Sequence, residues 1–592
     1  MSGVLSRLGN VFWPPVVPGT LGAHPTGHST HFAIRAPAAR EVWLCLFDGE
    51  AERRIAMTRV GEQWQAEVTG VGPGQLYGYR ADADPAKLLV DPYAITIDRR
   101  FIYDPRLSAA GEDTAALVPK AIVPAPLIGT DPPQPLFTPG GLIYELNVRG
   151  FTMRHPDVPP AQRGTIAALT HPAIVAHLQR LRVAAVELMP IVAWIDERHL
   201  PPLGLTNAWG YNPVVPMALD PRLAPGGVEE LRTTVAALRA AGIGVILDIV
   251  LNHTGESDAD GPTLSLRALD PASYAHEPEG RLADHAGTGN TLDFGRLHVR
   301  RLALDTLRHF ARIGVDGFRF DLAPVLDRPH FDGTFFAEIA ADPILSTRVM
   351  IAEPWDIGPD GYRLGRFPGN WLEWNDRFRD DVRRFWRGDG TAGALATRIA
   401  GSSDVFGDRP TRSINFIAAH DGFTLADTVA FEHRQNEANG EGNRDGHAGE
   451  ISWASTDPAA ATRALLATLF ASRGTPMLTA GDEFGRTQAG NNNAYAQDEL
   501  SWLDWEGRDR DLEAFVIALS AFRRAGSFAD QARLDDADWR DLSDRPMIPE
   551  HWGDAEGFIL NLPHAAETIT LRFDRTDRRV TLTRGTRLDS RA

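Results

Sequence analysis

Four short apolar runs in the middle of the chain each end in charged or polar residues. They span residues 245–247, 315–320, 349–352 and 414–417, and they lead to Asp248, Asp321, Glu353 and the pair His420–Asp421. A continuous apolar run is typical of a strand buried on both faces of a parallel sheet. In a closed barrel of such strands, functional residues collect at the carboxyl ends. The pattern therefore predicts an α/β protein built on a (β/α)8 TIM barrel, with its polar residues gathered at one end.

Segments with helical periodicity alternate with these runs. Their apolar residues recur three and four positions apart, which places them on one face of a helix. The three clearest faces contain Ile174, Leu178 and Leu181; Val228, Leu231, Val235 and Leu238; and Val299, Ala303, Leu307 and Phe310. About one βαβ unit of roughly 30 residues separates Asp321 from Glu353. Strands that alternate with amphipathic helices indicate a parallel sheet whose successive strands deliver successive polar residues.

The segments on either side of this region show the alternation of half-buried strands. Before it, residues 31–35, 42–47 and 64–68 predict an N-terminal β-sandwich over residues 1–120. The proline-rich residues 121–138 predict an extended linker, followed by the barrel over residues 139–505. A helical pattern from Leu512 to Phe522 and β-like alternation at Ile569, Leu571 and Phe573 predict a short helix and a small C-terminal β domain over residues 506–592.

The composition narrows the range of partners. The chain has 592 residues, of which 60 are basic and 78 acidic, giving a net charge of −18. This excess of negative charge disfavours nucleic acid and anionic membranes and favours a neutral substrate. Cys45 is the single cysteine, so nothing indicates an oxidising compartment. The first residues lack the pattern of a signal peptide and no apolar run reaches membrane length, so the expected location is the cytoplasm.

The carboxylates at the strand ends suit the hydrolysis of a glycosidic bond with retention. That reaction needs one carboxylate as the nucleophile and one carboxylic acid to protonate the leaving oxygen, about 5 Å apart. Asp321 and Glu353 end neighbouring strands and are the candidates for these roles. Arg319 lies two residues before Asp321, so both side chains point to the same face of the strand. Its charge favours the ionised form of Asp321, whereas Glu353 must be protonated to act.

The remaining polar residues are candidates for holding the sugar. Asp421, His420 and His253 are expected to hydrogen-bond to its hydroxyl groups, because bonds that strengthen in the transition state lower the barrier. Tyr211 offers an aromatic platform for the apolar face of a glucose ring. Asp248 and Asn252 are expected to support the floor of the site. Asp248 is expected to do so through an ion pair with Arg319.

Several of these segments resemble the signature regions of the α-amylase superfamily and occur in the order of that family. They are residues 247–253, 317–321, 353–355 and 420–421. Within the superfamily the chain is most similar to bacterial glycogen debranching enzymes of the isoamylase type. The closer resemblance is carried by residues 209–213, 436–446 and 490–498, and the similarity extends from about residue 15 to about residue 550.

The resemblance implies roles for individual residues. By it, Asp321 is the nucleophile, Glu353 is the general acid and base, Asp421 stabilises the transition state, and Trp355 joins the substrate-binding residues. It also implies hydrolysis of α-1,6 branch linkages in glycogen, limit dextrin or another branched α-glucan. The N-terminal β-sandwich resembles the carbohydrate-binding module that precedes such barrels.

Two classes of alternative stay open at this point. Another enzyme of the superfamily, such as an α-1,4-acting amylase, a branching enzyme or a maltooligosyl-trehalose hydrolase, shares Asp321, Glu353 and Asp421. A glucan-binding protein without catalysis is the second class, although such a protein has no physical need for all three carboxylates. No cofactor and no metal ion is expected, because Asp258 and Asp260 lack the other ligands of a calcium loop.

Overall fold

The structure, a computed structural model, describes residues 20–125, 131–328, 334–525, 537–564, 567–584 and 586–591. Eight strands lie within residues 20–125: β1 (Gly22–Pro25), β2 (Ser29–Arg35), β3 (Val42–Asp48), β4 (Ala51–Ala56), β5 (Thr58–Val60), β6 (Gln63–Thr69), β7 (Leu76–Ala81) and β8 (Ala121–Ile122). They pair into two antiparallel sheets, ordered β1-β2-β6-β5 and β4-β3-β7-β8. Phe32 of one sheet packs edge-on against Tyr77 of the other, with ring centres 5.1 Å apart. The predicted N-terminal β-sandwich is confirmed.

The described residues from 131 to 525 add ten strands: β9 (Leu142–Leu146), β10 (Val183–Leu188), β11 (Val192–Trp194), β12 (Pro213–Leu219), β13 (Gly244–Ile249), β14 (Gly317–Phe320), β15 (Val349–Ala352), β16 (Leu372–Trp374), β17 (Ser413–Asn415) and β18 (Thr475–Thr479). Eight of these close into a parallel barrel in the order β9-β10-β13-β14-β15-β16-β17-β18. β11 and β12 form a separate antiparallel pair. The predicted barrel is confirmed, and β13, β14, β15 and β17 lie in the four apolar runs.

Helices connect the strands of the barrel. Those in the described residues are α1 (Val148–Thr152), α2 (Pro172–Arg180), α3 (Gly227–Ala240), α4 (Leu266–Leu269), α5 (Leu297–Ile313), α6 (Thr334–Ala341), α7 (Asp376–Arg387), α8 (Ala392–Ile399), α9 (Ser403–Phe406), α10 (Leu425–Thr428), α11 (Pro458–Ala471) and α12 (Arg510–Ala525). The three predicted helical faces belong to α2, α3 and α5. Among the described helices, none combines the length and the apolar character needed to cross a membrane.

Alternate residues of the barrel strands point into the barrel and form two layers. The lower layer is apolar and includes Ile143, Ala185, Ile246, Ile351 and Met477. Because side chains alternate along a strand, residues two positions further on point the same way. These residues form an upper layer in which Trp374 and Phe416 are aromatic and the others are polar: Glu145, Glu187, Asp248, Arg319, Glu353 and Thr479. The barrel thus places its charges directly on an apolar floor.

The described part of the C-terminal region forms one five-stranded antiparallel sheet. Its strands, in sequence order and also in spatial order, are β19 (Asp538–Arg540), β20 (Gly557–His564), β21 (Glu567–Asp574), β22 (Arg579–Arg584) and β23 (Thr586–Asp589). The alternating residues Ile569, Leu571 and Phe573 are buried in the same hydrophobic core as the barrel helices. The predicted C-terminal β domain is confirmed.

Candidate active site

The guanidinium of Arg319 lies in the upper layer of the barrel and contacts three carboxylates. Its Nη1 donates to both oxygens of Asp248, at 2.9 and 3.0 Å, and to Oδ1 of Asp321 at 3.1 Å. Its Nη2 lies 3.0 Å from Oε1 of Glu353. The Cζ atom is 4.3 Å from the centre of the Trp374 ring, a favourable cation–π distance. Asp321 and Glu353 therefore lie on two arms of a single buried cation.

Asp321 is held through both of its carboxylate oxygens. While Oδ1 accepts from Arg319, Oδ2 accepts from Nδ2 of Asn252 at 2.7 Å. The same amide nitrogen also donates to the main-chain carbonyl of Asp321 at 2.8 Å. Asn252 thereby fixes the side chain and the backbone of this residue together. A carboxylate with both oxygens anchored has a defined direction of approach to a reacting carbon.

Glu353 has the environment of a proton donor. Its side chain is buried, and Oε2 accepts the main-chain N–H of Leu322 at 2.7 Å. Burial raises the pKa of Glu353 to about 8, against the opposing charge of Arg319 and with a further contribution from Asp321. At neutral pH this carboxyl is therefore largely protonated, as a general acid requires.

Asp248 shares Nη1 of Arg319 with Asp321. Burial raises the pKa of Asp248 to about 6, while Arg319 works in the opposite direction. The hydroxyl of Tyr211 donates to Oδ2 of this carboxylate. The expected ion pair between Asp248 and Arg319 is present, and it fixes the guanidinium beneath Asp321 and Glu353.

His420 is oriented by a buried carboxylate that lies below it. Its Nδ1 is 2.7 Å from Oε1 of Glu145. Burial disfavours the charged imidazole, but Glu145 more than offsets this and raises the pKa of His420. One face of the imidazole stacks on Tyr211 at 4.9 Å, and Trp209 packs edge-on at 5.1 Å. The ring is held on three sides, and its Nε2 makes no hydrogen bond with the described residues.

Asp421 follows His420 at the same rim of the barrel and is exposed. It makes no hydrogen bond or ion pair with the residues that the structure describes. The surrounding protein raises the pKa of Asp421 by desolvation, and His420 opposes this effect. The structure thus brings Asp321, Glu353 and Asp248 into direct contact with Arg319 and leaves Asp421, next to His420, without a hydrogen-bond or ion-pair partner among the described residues.

The other predicted sugar-binding residues differ in how accessible they are. His253 is buried, with Nε2 2.9 Å from the carbonyl of Tyr211 and Nδ1 against the amide oxygen of Asn252. Burial lowers the pKa of His253, so the neutral ring has one N–H for these two acceptors. Trp355 is half-buried and packs against the apolar floor of the barrel. His253 therefore contacts protein on both nitrogens, whereas Trp355 and Tyr211 retain exposed surface.

A large cleft of about 1230 Å³ opens beside this cluster. Trp209 and Tyr211 line its inner end, and Glu441, Asp445 and Tyr495 line its outer wall. The lining includes the two loop segments, residues 436–446 and 490–498, that carried the closer family resemblance. Side-chain amides join these loops: Asn436 to Asn492 at 2.9 Å and Asn439 to Asn491 at 2.9 Å. The loops form one wall, because each satisfies the buried polar groups of the other.

Metal-binding groups are absent from this wall and from the rest of the described chain. No three His, Cys, Asp or Glu side chains converge on a point within the described ranges. Asp258 is paired with Arg198, whose two terminal nitrogens lie 2.6 and 2.7 Å from its carboxylate oxygens.

Comparison with known proteins identifies the family. The family described as Carbohydrate-binding module 48 (Isoamylase N-terminal domain) matches residues 20–94, which form most of the N-terminal sandwich. A glycogen debranching enzyme from Yersinia enterocolitica is 43% identical to the chain, covering 92% of it and 88% of the relative. Another from Serratia proteamaculans is 44% identical, covering 86% and 84%. The chain belongs to the glycogen debranching enzyme family.

Solved structures of pullulanases share the fold of this debranching enzyme family member. A pullulanase from Anoxybacillus sp. complexed with maltotetraose has a TM-score of 0.74 and 25% identity, covering 96% of this chain and 83% of that one. Pullulanase type I from Bacillus subtilis, complexed with maltose, has a TM-score of 0.74 and 24% identity, covering 95% and 79%. The likeness to the second structure shows a shared fold.

Sequence reasoning missed several residues of this debranching enzyme family member that contact the cluster. Glu145 pairs with His420, Trp374 covers Arg319, and Glu187 is a fully buried carboxyl in the same layer. The signal for Glu145 and Glu187 was present in the sequence, since each is a lone carboxylate in an apolar strand, two residues after an inward-facing apolar position. Leu322 gave no such signal, because its contribution comes from its backbone.

Proposed function

We propose that this chain hydrolyses the α-1,6 branch linkages of glycogen-type glucans with retention of configuration and releases linear maltooligosaccharides. The observation that carries this proposal is the placement of Asp321 and Glu353 on two arms of Arg319, with both oxygens of Asp321 anchored and Glu353 buried so that its pKa is raised. Family membership supports the substrate, because the curated relatives are glycogen debranching enzymes.

In the first step, Asp321 attacks the anomeric carbon of the glucose at the branch point. Glu353 gives its proton to the leaving oxygen, so the main chain departs with a free hydroxyl group and the branch becomes a covalent ester of Asp321. Arg319 contacts both carboxylates through the step. As Glu353 becomes an anion, the adjacent Nη2 stabilises the new charge.

In the second step, water replaces the main chain as the reacting partner. The Glu353 carboxylate takes a proton from this water, which attacks the same anomeric carbon and displaces Asp321. The proton returns Glu353 to its starting state, and the released branch keeps the original configuration.

The remaining site residues act on the sugar in this proposal. Asp421, an exposed carboxylate without a partner, stabilises the positive charge that develops on the sugar ring in the transition state. The free Nε2 of His420 binds a sugar hydroxyl, and Tyr211 and Trp355 contact the apolar faces of glucose rings. His253 and Asn252 orient Asp321, and Asp248 orients Arg319.

The test of the function is product analysis after incubation with phosphorylase-trimmed glycogen and, separately, with linear amylose. Short linear maltooligosaccharides from the first substrate and none from the second establish debranching. Equal attack on amylose moves the assignment to an α-1,4-acting amylase. Asp321→Asn supplies the control, because it leaves glucan binding intact and abolishes turnover if Asp321 is the nucleophile.

The setting of the enzyme is part of the same proposal. A neutral glucan as substrate and the net charge of −18 support a cytoplasmic enzyme of glycogen breakdown that binds no nucleic acid and no membrane. The division into a module over residues 1–120, a linker over 121–138, a barrel over 139–505 and a tail over 506–592 is proposed with it. β8 (Ala121–Ile122) pairs with β7, which favours assigning these two residues to the module and shortening the proposed linker accordingly.

A further inference from the structure

Leu322, the residue directly after the proposed nucleophile, has a backbone conformation that leucine rarely adopts. Its φ and ψ angles are 43° and 50°, in the left-handed region. Residues other than glycine are strained there, because Cβ comes too close to the backbone carbonyl. Such strain persists where the surrounding structure holds it, and it is concentrated at functional sites.

Main-chain hydrogen bonds hold this corner of the chain on both sides. The N–H of Asp321 donates to the carbonyl of Ile249 at 3.2 Å, and the N–H of Ala323 donates to the carbonyl of Glu353 at 3.1 Å. The N–H of Glu353 donates in turn to the carbonyl of Phe320 at 3.1 Å. The corner joins the end of β14 to a short helical turn that begins at Ala323.

The left-handed corner directs the N–H of Leu322 to the carboxyl of Glu353. This N–H donates to Oε2 at 2.7 Å. Nη2 of Arg319 lies 3.0 Å from Oε1 but forms no hydrogen bond with the described residues. In a neutral carboxylic acid one oxygen bears the proton, and the carbonyl oxygen is the better acceptor. The bond from Leu322 therefore marks Oε2 as the carbonyl oxygen of the protonated group and Oε1 as its hydroxyl.

We propose that Leu322 is a positioning residue for the acid and base: its N–H holds Oε2, so that Oε1 gives the proton to the leaving oxygen and later takes one from water. This inference rests on the proposed role of Glu353. It accounts for the position of Nη2 of Arg319, which lies 3.0 Å from Oε1 without a hydrogen bond to any described residue. Once the proton has left, Oε1 becomes anionic and Nη2 is in place to stabilise it.

The hydrogen bond from Leu322 to Glu353 affects the pH dependence of the activity. The charged groups that face Glu353 are Arg319, Asp321 and Asp248, and burial is the largest influence on its pKa. The bond from Leu322 favours the ionised form and so opposes burial. Removing this one donor therefore raises the pKa of Glu353 and moves the alkaline limb of the activity profile to higher pH.

The decisive variant replaces Leu322 by its α-hydroxy analogue through nonsense suppression. This change converts the N–H to an ester oxygen and keeps the side chain. With limit dextrin as substrate, we expect the alkaline limb of kcat/KM to move to higher pH and kcat at neutral pH to fall about tenfold, the scale of losing one orienting hydrogen bond. An ester variant with the wild-type limb and the wild-type kcat overturns the proposal.

A matched pair of side-chain variants separates positioning from simple packing. Leu322→Gly adopts the left-handed conformation freely and is expected to keep the wild-type alkaline limb. Leu322→Val is β-branched and resists that conformation, so its limb should move as in the ester variant. A Leu322→Val protein that has a lower Tm but an unchanged limb and kcat shows a structural role alone, against the proposal.

The same assay separates this inference from the proposed function. If the wild-type chain releases no linear maltooligosaccharides from limit dextrin, the proposed function fails. If the wild type is active and the ester variant behaves as the wild type does, only the role of Leu322 fails. Should Leu322→Val not fold, the ester variant decides, because it keeps every side chain of the protein.

Discussion

Oε1 of Glu145 lies 2.7 Å from Nδ1 of His420, and the two side chains form a buried ion pair below the cleft. The other oxygen of Glu145 accepts the hydroxyl of Thr479 at 2.8 Å, so the carboxylate is satisfied at both ends. Because Glu145 occupies Nδ1, it is Nε2 of His420 that is left to meet the substrate. The buried carboxylate of Glu145 thus determines which ring nitrogen of His420 is available to the substrate.

Replacing Glu145 by Gln is expected to destabilise the protein most at mildly acidic pH. The pKa of His420 is raised above 6.5 because Glu145 outweighs burial, and the pKa of Glu145 is lowered below 4.5 because His420 outweighs burial. Stability from a raised histidine pKa is fully present below 6.5 and is lost as the pH rises through that pKa. We expect a loss of up to about 3 to 5 kcal/mol in the free energy of unfolding between roughly pH 5 and 6.5.

Guanidinium unfolding at pH 6 and pH 9 measures this difference. An equal loss at the two pH values contradicts the ion-pair explanation. Glu483→Gln is the matched control, because Glu483 forms a second buried pair with His177 at 2.9 Å, outside the cleft. Both variants should lose stability, but only Glu145→Gln should also lower kcat.

The activity is expected to fall as the pH rises through about 8. Burial raises the pKa of Glu353 to about 8, against Arg319, and the group must be protonated to act. Measurement of kcat/KM on limit dextrin from acidic to alkaline pH should show this limb. Glu353→Gln should lower kcat by about 10²- to 10⁴-fold, the range for loss of a general acid, and its residual activity should lack the limb. A limb that survives in Glu353→Gln belongs to another group.

Asp248→Asn is expected to move the alkaline limb in the opposite direction to the Leu322 ester variant. The charge of Asp248 raises the pKa of Glu353 and also occupies Nη1 of Arg319. Its removal leaves the guanidinium to act more strongly on Glu353 and so lowers that pKa. The pH profile of kcat/KM should therefore fall off at lower pH than in the wild type. A limb that stays in place would show that the charge of Asp248 does not affect the proton affinity of Glu353.

Asn436→Leu is expected to open the wall formed by the two loops. Asn436 is fully buried, and it exchanges hydrogen bonds with Asn492 through Nδ2 at 2.9 Å and Oδ1 at 3.0 Å. Leucine leaves Oδ1 and the main-chain N–H of Asn492 without these hydrogen bonds, which costs about 1 to 3 kcal/mol of stability for each group. KM for limit dextrin should rise more than kcat falls, and limited proteolysis should cut within residues 436–446.

Gln435→Leu is the control for this prediction. Gln435 is exposed, and its side chain bonds only to the nearby carbonyl of His433 within the described residues. It should leave both KM and the proteolysis pattern as in the wild type. If both variants behave alike, the effect comes from added apolar surface and not from the bonds between the loops.

The sequence predicted barrel strands where an apolar run leads to charged or polar residues, and it missed a strand that has no such run. β13 has six residues and its run was evident, whereas the three residues of β16 (Leu372–Trp374) are interrupted by Glu373. Trp374 was missed for that reason, although its ring covers Arg319. Short strands are determined by pairing with their neighbours, which a local pattern does not contain.

The candidate site divides in the same way. Asp321 and Glu353 were found because each directly follows an apolar run. Arg319 was found because it lies two residues before Asp321. Glu145 joins His420 across 275 positions of sequence, a contact that only the closure of the barrel creates. The backbone conformation of Leu322 could not be predicted from the sequence for another reason. It is imposed by hydrogen bonds on either side and not by the conformational preference of leucine.

The unpaired carboxylate of Asp421 also bears on which inhibitors suit the cleft. No ion pair with the described residues neutralises it, so a ligand meets a carboxylate whose charge nearby groups such as His420 offset only at a distance. A sugar mimic with a protonated ring nitrogen supplies the missing cation, whereas a neutral lactone of the same shape does not. We therefore expect selectivity for basic iminosugars over neutral analogues, because this one acidic side chain has no partner among the described residues.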